Sequence, residues 1–500
     1  MTPYTLVSDG RELTATDEQT DIIDFARENP RTNILINALA GAAKTSTLRF
    51  LAKYLPIEPC VSLAFNKRIA DEMTKVLPGH VRCATMNSMG HRVWAAAVGK
   101  RLVVETKKNY NLVKERIDKL KPRDRSEAYD IFGDITKAIS KAKLSGYVPS
   151  GISGLPGKSL LTEEQFFGGL EERPDEWFIM LVNDCLRNGI TQSYAGLIDF
   201  DDQIYMPTLF GGAFPQFTRV GVDEAQDLSP LNHAMLYKLV GPSSQLTAVG
   251  DPWQSIYAFR GADTGSMGKL RDHFKMHEMT LSVSFRCPIA VVRNAHKRVP
   301  HMRWPAWAKD GRVETLQEWN ASDIPDHAAI ICRNNAPLMS IALQLLRSER
   351  GVQLVGTDLG PNLVKILKKM GEPSMTQEQL LDAIDIWEQT KLSKARDSGT
   401  ITDKAECLRV FAKFGTSLGA AIAYCEHIFS QKGPIQLLSG HKAKGLEWQF
   451  VYHLDPQRIP SPWAKEGEDL EQELNVRYVI ETRAKEALYF VTSEGFHGND

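Results

Sequence analysis

Nine short apolar runs recur along the 500-residue chain and restrict its fold more than any other feature. They are Ile34–Ala38, Val61–Phe65, Arg219–Val222, Leu246–Val249, Ala328–Cys332, Val352–Val355, Ile435–Leu438, Phe450–Leu454 and Ala487–Thr492. Each is too short for a buried helix and lacks the alternation of a half-solvated strand. Strands of a parallel sheet covered on both faces look like this. Helical patterns such as Asp17–Glu28 and Thr45–Tyr54 fall between some of them, giving an α/β architecture. Two long strand-poor stretches interrupt the rhythm and read as helical insertions. One covers residues 95–195. The other covers 356–430, with helical patterns at Leu363–Met370, Gln377–Thr390, Asp403–Phe411 and Leu418–Phe429. The expected organisation is a first α/β domain, 1–94 with 196–281, and a second, 282–355 with 431–500, each carrying one insertion.

The composition, 43% hydrophobic and 24% charged, is that of an average globular chain with material for sizeable cores. A net charge of −1 excludes overall basicity as a means of attracting nucleic acid and leaves only local basic faces. The first insertion offers one: Lys100–Lys143 holds thirteen Lys/Arg against seven Asp/Glu, although such a run is equally a solvated helical surface. Seven cysteines, none in a C-x-x-C pair, read as reduced thiols and argue against a zinc site. The first residues lack a signal-peptide pattern, and no run approaches about 18 apolar residues. The expected location is cytoplasmic, at a nucleoid or in a host cytoplasm, with no membrane partner.

The run Ile34–Ala38 leads into Leu39-Ala-Gly-Ala-Ala-Lys-Thr-Ser-Thr47 and then a helix. Strand, loop and helix in this order form a phosphate cradle, with backbone N–H groups of Ala40, Gly41, Ala42, Ala43 and Ser46 facing the anion. Lys44 would reach the β- and γ-phosphates and the Thr45 hydroxyl would ligate Mg²⁺. Alanines at 38 and 43 replace the two glycines of the strict pattern; a positive φ at Ala43 would cost roughly 1–2 kcal/mol. A second strand, in Val220-Gly-Val-Asp-Glu-Ala-Gln-Asp227, ends in adjacent carboxylates. There Asp223 can hold Mg²⁺ through water while Glu224 polarises an attacking water. A third run opens into Gly250-Asp-Pro-Trp-Gln-Ser-Ile-Tyr-Ala-Phe-Arg260. Gln254 could touch a phosphate at one end of this loop, and Tyr257, Phe259 and Arg260 could grip a nucleic-acid strand at the other.

With these three elements in order, the chain resembles the UvrD/Rep-like superfamily 1A DNA helicases, and the resemblance covers most of its length. Gln19 matches a glutamine that reads adenine. VSLAFNKRIA (61–70) resembles motif Ia, with Phe65 at a base-stacking position beside Asn66. ATMNSM (84–89) resembles motif Ib, with Thr85, and with Asn87 where histidine is usual. IDFDD (198–202) resembles the acidic turn where the first insertion returns. LSVSFR (281–286) resembles motif IV, which implies that Phe285 stacks on adenine and Arg286 senses the γ-phosphate. SGHKAKGLE (439–447) is similar to motif V, placing Gly445 and Glu447 near the ribose and His441 and Lys442 on the DNA side. ELNVRYVIETRA (473–484) resembles motif VI, with Arg483 as arginine finger. The A-G-x-x-K-T-S-T loop and F-N-K are most similar to F-box DNA helicases and their phage or bacterial relatives. Phe259 stands where tryptophan is usual, and the second insertion is short.

The resemblance implies two RecA-like P-loop NTPase domains with ATP and Mg²⁺ in the cleft between them. It also implies 3′ to 5′ movement on single-stranded DNA. Implied partners are single strands, single-strand/duplex junctions, and single-strand-binding, recombination or replication proteins. Two alternatives remain at this level: a translocase that clears proteins from single strands with little unwinding, and a catalytically weak single-strand-binding protein.

Overall fold

All nine apolar runs become strands, and eight of them lie inside two six-stranded parallel sheets with a neighbour on each side. The computed structural model describes residues 3–8, 11–64, 66–152, 157–170, 174–258, 261–263, 265–356, 359–393, 398–462 and 464–498. They fall into two compact units, Met1–Ala38 with Ala43–Leu281, and Leu39–Ala42 with Ser282–Asp500.

The first unit contains β1 (Ile34–Ala38), β2 (Cys60–Ala64), β3 (Val81–Thr85), β4 (Arg219–Val222), β5 (Gln245–Gly250) and β6 (His277–Leu281). Their order across the sheet is β6-β1-β5-β4-β2-β3, all parallel. The register sets Ala38 beside Leu281, Asn37 beside Gly250, Val222 beside Ala248, Leu63 beside Val222 and Ala64 beside Thr85. Every strand therefore delivers its carboxyl end to the same edge, where open α/β sheets bind ligands. Helix Asp17–Glu28 forms over the residues expected, started by a capping box in which Thr16 accepts from the Gln19 N–H and Gln19 from the Thr16 N–H.

The first insertion has a core of its own, including Val113, Ile117, Ile135, Ile139, Phe166, Phe178, Val182 and Leu186. It meets its parent sheet domain through buried ions. Lys108 Nζ lies 2.6 Å from Asp202 Oδ2, and Lys143 Nζ lies 2.5 Å from Asp199 and 2.8 Å from Asp202. Burial pulls Lys108 below its ordinary pKa. Burial also opposes the charge on Lys143, but Asp202, Asp199 and Asp201 outweigh it and hold that ammonium above its usual range. The basic run is thus partly turned inward: two of its thirteen cations serve this joint and contribute nothing to an outward face.

The second unit contains β7 (Arg312–Thr315), β8 (Ala329–Cys332), β9 (Val352–Leu354), β10 (Ile435–Ser439), β11 (Trp448–Leu454) and β12 (Ala484–Val491). They run parallel in the order β7-β12-β11-β8-β10-β9. Helices Leu359–Leu367, Gln377–Leu392, Ser398–Phe414 and Leu418–Ser430 occupy the second strand-poor stretch. Their apolar residues Leu363, Leu380, Leu408, Phe411 and Leu418 join Ile330, Leu345 and Leu437 in one continuous core.

Candidate active site

β1 ends at Ala38 and the chain turns through Gly41 (φ 75°) and Ala43 (φ 55°, ψ 40°) before helix Lys44–Tyr54 begins. Ala43 caps this helix without a side-chain oxygen to occupy the first-turn N–H groups, an arrangement suited to an anion. The alanine does adopt the left-handed conformation, at the cost of roughly 1–2 kcal/mol attached to a Cβ there.

Lys44 Nζ donates to both carboxylate oxygens of Glu224 at 2.9 Å. Glu224, just past β4, is also left-handed (φ 53°), and its N–H donates to Asp223 Oδ1 at 2.9 Å. Burial favours the neutral amine at Lys44, yet Glu224, Asp223 and Asp251 hold the ammonium above its usual range. Asp223 is pushed up to about 6 by burial and then by the neighbouring Glu224. Burial also raises Asp251 to about 6. One lysine thus faces three carboxylates at the ends of β1, β4 and β5.

Among the described residues no group of three or more His, Cys, Asp or Glu could hold a metal. The Thr45 hydroxyl and Asp223 carboxylate are nevertheless the hard oxygen donors Mg²⁺ takes when it also binds phosphates. A cation beside buried Asp223 would offset the cost of ionising it.

Gln254 donates to Asp251 Oδ2 at 2.6 Å, so the loop after β5 is tied to the same cluster. Tyr257, three residues on, is half-buried. Phe65, Phe259 and Arg260 lie outside the described residues. Gln19 is buried, with its amide donating to Thr47 Oγ1 at 3.0 Å, on the helix that carries Lys44. Asn66 lies just past β2 and Thr85 ends β3; they N-cap helices Lys67–Val76 and Met86–Val98, accepting from Ile69 N and Ser88 N. Asn87 donates to the Phe200 carbonyl at 2.8 Å. These residues sit at the β2 and β3 ends of the sheet edge. Four strand spacings of about 4.8 Å put β3 about 19 Å from β1.

In the second unit Arg286 Nε donates to Glu447 Oε2 at 2.6 Å, and Lys485 Nζ lies 2.5 Å from Glu447 Oε1. Burial favours the neutral Glu447 carboxyl, but Lys485 and Arg286 pull it below its usual range. Arg483 is almost wholly buried and donates to the Val479 carbonyl at 2.8 Å and the Leu446 carbonyl at 3.4 Å. Arg286, Glu447 and Arg483 are thus brought together, with Arg286 the more accessible cation. Phe285 is partly exposed and faces exposed Trp307 at 6.2 Å between ring centroids. Gly445 has φ 81°, and His441 and Lys442 lie on the short helix Gly440–Ala443.

The sequence reading missed Asp251, Gln226, Lys485 and Trp307. A signal existed for the first: an acidic residue directly after a fully buried strand. Lys485 and Trp307 stand in no recognisable pattern.

A family model described as UvrD/REP helicase N-terminal domain matches residues 17–275. One described as UvrD-like helicase C-terminal domain matches residues 362–495. The chain is 24% identical to F-box DNA helicase 1 of Gallus gallus, over 95% of this chain and 49% of that protein. It is 22% identical to F-box DNA helicase protein 1 of Schizosaccharomyces pombe, over 95% of this chain and 57% of that protein. It is 23% identical to the ATP-dependent DNA helicase srs2 of the same yeast, over 78% of this chain and 46% of that protein. The chain spans about half the length of these curated relatives. Among the described residues no helix is long and apolar enough to cross a membrane. Two matched domains, the first covering more than half the chain, settle its kinship: the chain belongs to the UvrD/REP helicase family.

Proposed function

We propose that this chain is an ATP-driven DNA helicase motor that moves along single-stranded DNA, 3′ to 5′. The observation that carries the reading is Lys44 held 2.9 Å from both oxygens of Glu224, beside Asp223, at one edge of a parallel sheet. Lys44 is poised to exchange Glu224 for the β- and γ-phosphates, which frees Glu224 to orient the attacking water. Mg²⁺, held by Thr45 and Asp223, would neutralise charge on the phosphoryl oxygens. Arg286 and Arg483 of the second unit supply cations for the transferring phosphoryl, with Arg483 first leaving its carbonyl partners. Phe285 and Gln19 take the base, and Gly445 and Glu447 the ribose side.

Single-stranded DNA belongs at the β2 and β3 ends, with Asn66, Thr85 and Asn87. We assign Tyr257, in the loop after β5, to the same strand, together with His441 and Lys442. The sequence adds Phe65, Phe259 and Arg260 to this path. Base stacking of this kind is worth roughly 1–3 kcal/mol per base.

Steady-state ATPase with and without single-stranded DNA tests the reading, together with unwinding of 3′-tailed and 5′-tailed duplexes. Stimulated hydrolysis lost in Lys44→Ala, and unwinding of the 3′-tailed duplex alone, are expected. Hydrolysis at the parent rate in Lys44→Ala would falsify the assignment of the site. Unwinding of the 5′-tailed duplex would reverse the polarity.

A further inference from the structure

Gln226, in the cluster around Lys44, has no part in the proposed chemistry. Gln226 lies on the short turn Ala225–Asp227 and is almost completely buried. Its amide nitrogen donates to Glu224 Oε2 at 2.6 Å, and its amide oxygen accepts the N–H of Asp251 at 3.0 Å. The Ser255 hydroxyl approaches its main-chain carbonyl at 3.4 Å. The fit leaves no slack: a Cβ at Gly250 would fall 2.4 Å from the Gln226 amide oxygen and 3.1 Å from its main-chain nitrogen.

An amide suits this place for a chemical reason. Glu224 offers only acceptors on this side, and Asp251 offers a backbone donor, so the connecting group must donate at one end and accept at the other. A carboxylate would face Glu224 at hydrogen-bonding distance with like charge, and an apolar chain would remove both of these hydrogen bonds. The result is an unbroken series of hydrogen bonds from Lys44 through Glu224, Gln226 and Asp251 to Gln254. When a phosphate draws Lys44 away, Gln226 still holds Glu224.

We propose that Gln226 is a positioning residue that orients Glu224 and ties its movement to the loop running from Asp251 towards Tyr257. The inference deepens the helicase reading and rests on it. Two variants cut the tie differently. Gln226→Met, unbranched and of the same length, removes both hydrogen bonds. Gln226→Glu keeps the acceptor for Asp251 N–H but sets a carboxylate against Glu224.

In both, kcat in saturating single-stranded DNA is expected to fall at least tenfold. The ATP KM should stay within about twofold, and the affinity for a labelled oligonucleotide should be unchanged. A stimulated kcat at the parent level in either folded variant overturns the proposal. So does a rise in KM that accounts for the whole loss. Loss of far-UV circular dichroism in both variants assigns Gln226 to the core and overturns it too. A parent chain that shows no DNA-stimulated ATPase removes the helicase reading and this inference together. Stimulation in the parent with insensitivity at position 226 removes this inference alone.

Discussion

Two non-glycine residues with positive φ, Ala43 and Glu224, flank the same lysine contact. Strained backbone collected at one point persists when surrounding structure over-determines it. At Ala43 the strain has a separable origin, since the methyl group alone makes the conformation unfavourable. Ala43→Gly is therefore expected to stabilise the chain by roughly 0.5–1 kcal/mol, the relief of strain being partly offset by greater freedom of the unfolded chain. Urea unfolding followed by circular dichroism measures this; a lower midpoint in the variant would contradict it. The strict phosphate-loop pattern treats Ala43 as an irregularity. The structure treats it as a glycine position filled at a tolerable cost, because the helix start and Lys44 keep their places.

The joint between the first insertion and its parent domain is a buried set of opposite charges, and its energetics differ from those of a surface pair. Asp202 has two lysine partners and virtually no solvent, and those cations hold its carboxyl well below the usual range despite its burial. Removing one side of such a set strands the other, at a cost of about 3–5 kcal/mol. Asp202→Asn is expected to lose that much. Asp118→Asn, which breaks the exposed pair with Lys114, should shift the unfolding midpoint far less. Equal losses in chemical denaturation would show that the joint is not a buried charge set. The same elements explain what could be read in advance. Interior strands such as Leu246–Val249 were visible as apolar runs because both of their faces are covered. The edge strands Val81–Thr85, His277–Leu281 and Arg312–Thr315 were not, because an edge strand carries Arg82, Glu278 or Glu314 without penalty. The site followed the same division. Lys44, Asp223 and Glu224 stood in recognisable patterns, whereas Gln226 acquires its role only from two hydrogen bonds made by folding.

At the scale of the whole molecule, the proposed chemistry draws on both units. Of the residues proposed to handle the nucleotide, Lys44, Asp223 and Glu224 belong to the first and Arg286 and Arg483 to the second. Arg286→Ala should then lower kcat by about 10³ with a much smaller change in ATP KM, as expected of a cation that acts on the transition state. Single-turnover hydrolysis measures this; an unchanged turnover would confine hydrolysis to the first unit. Both sheets are parallel throughout, but they are completed differently. The first is finished by β6, its edge strand, whereas β12 of the second is inserted between β7 and β11. On a ribosome, the nascent second sheet therefore exposes two unpaired strand borders until residues 484–491 emerge. A chain stopped shortly before that segment would leave β7 cut off from the other four strands by an unfilled gap, a ready substrate for chaperones or for aggregation.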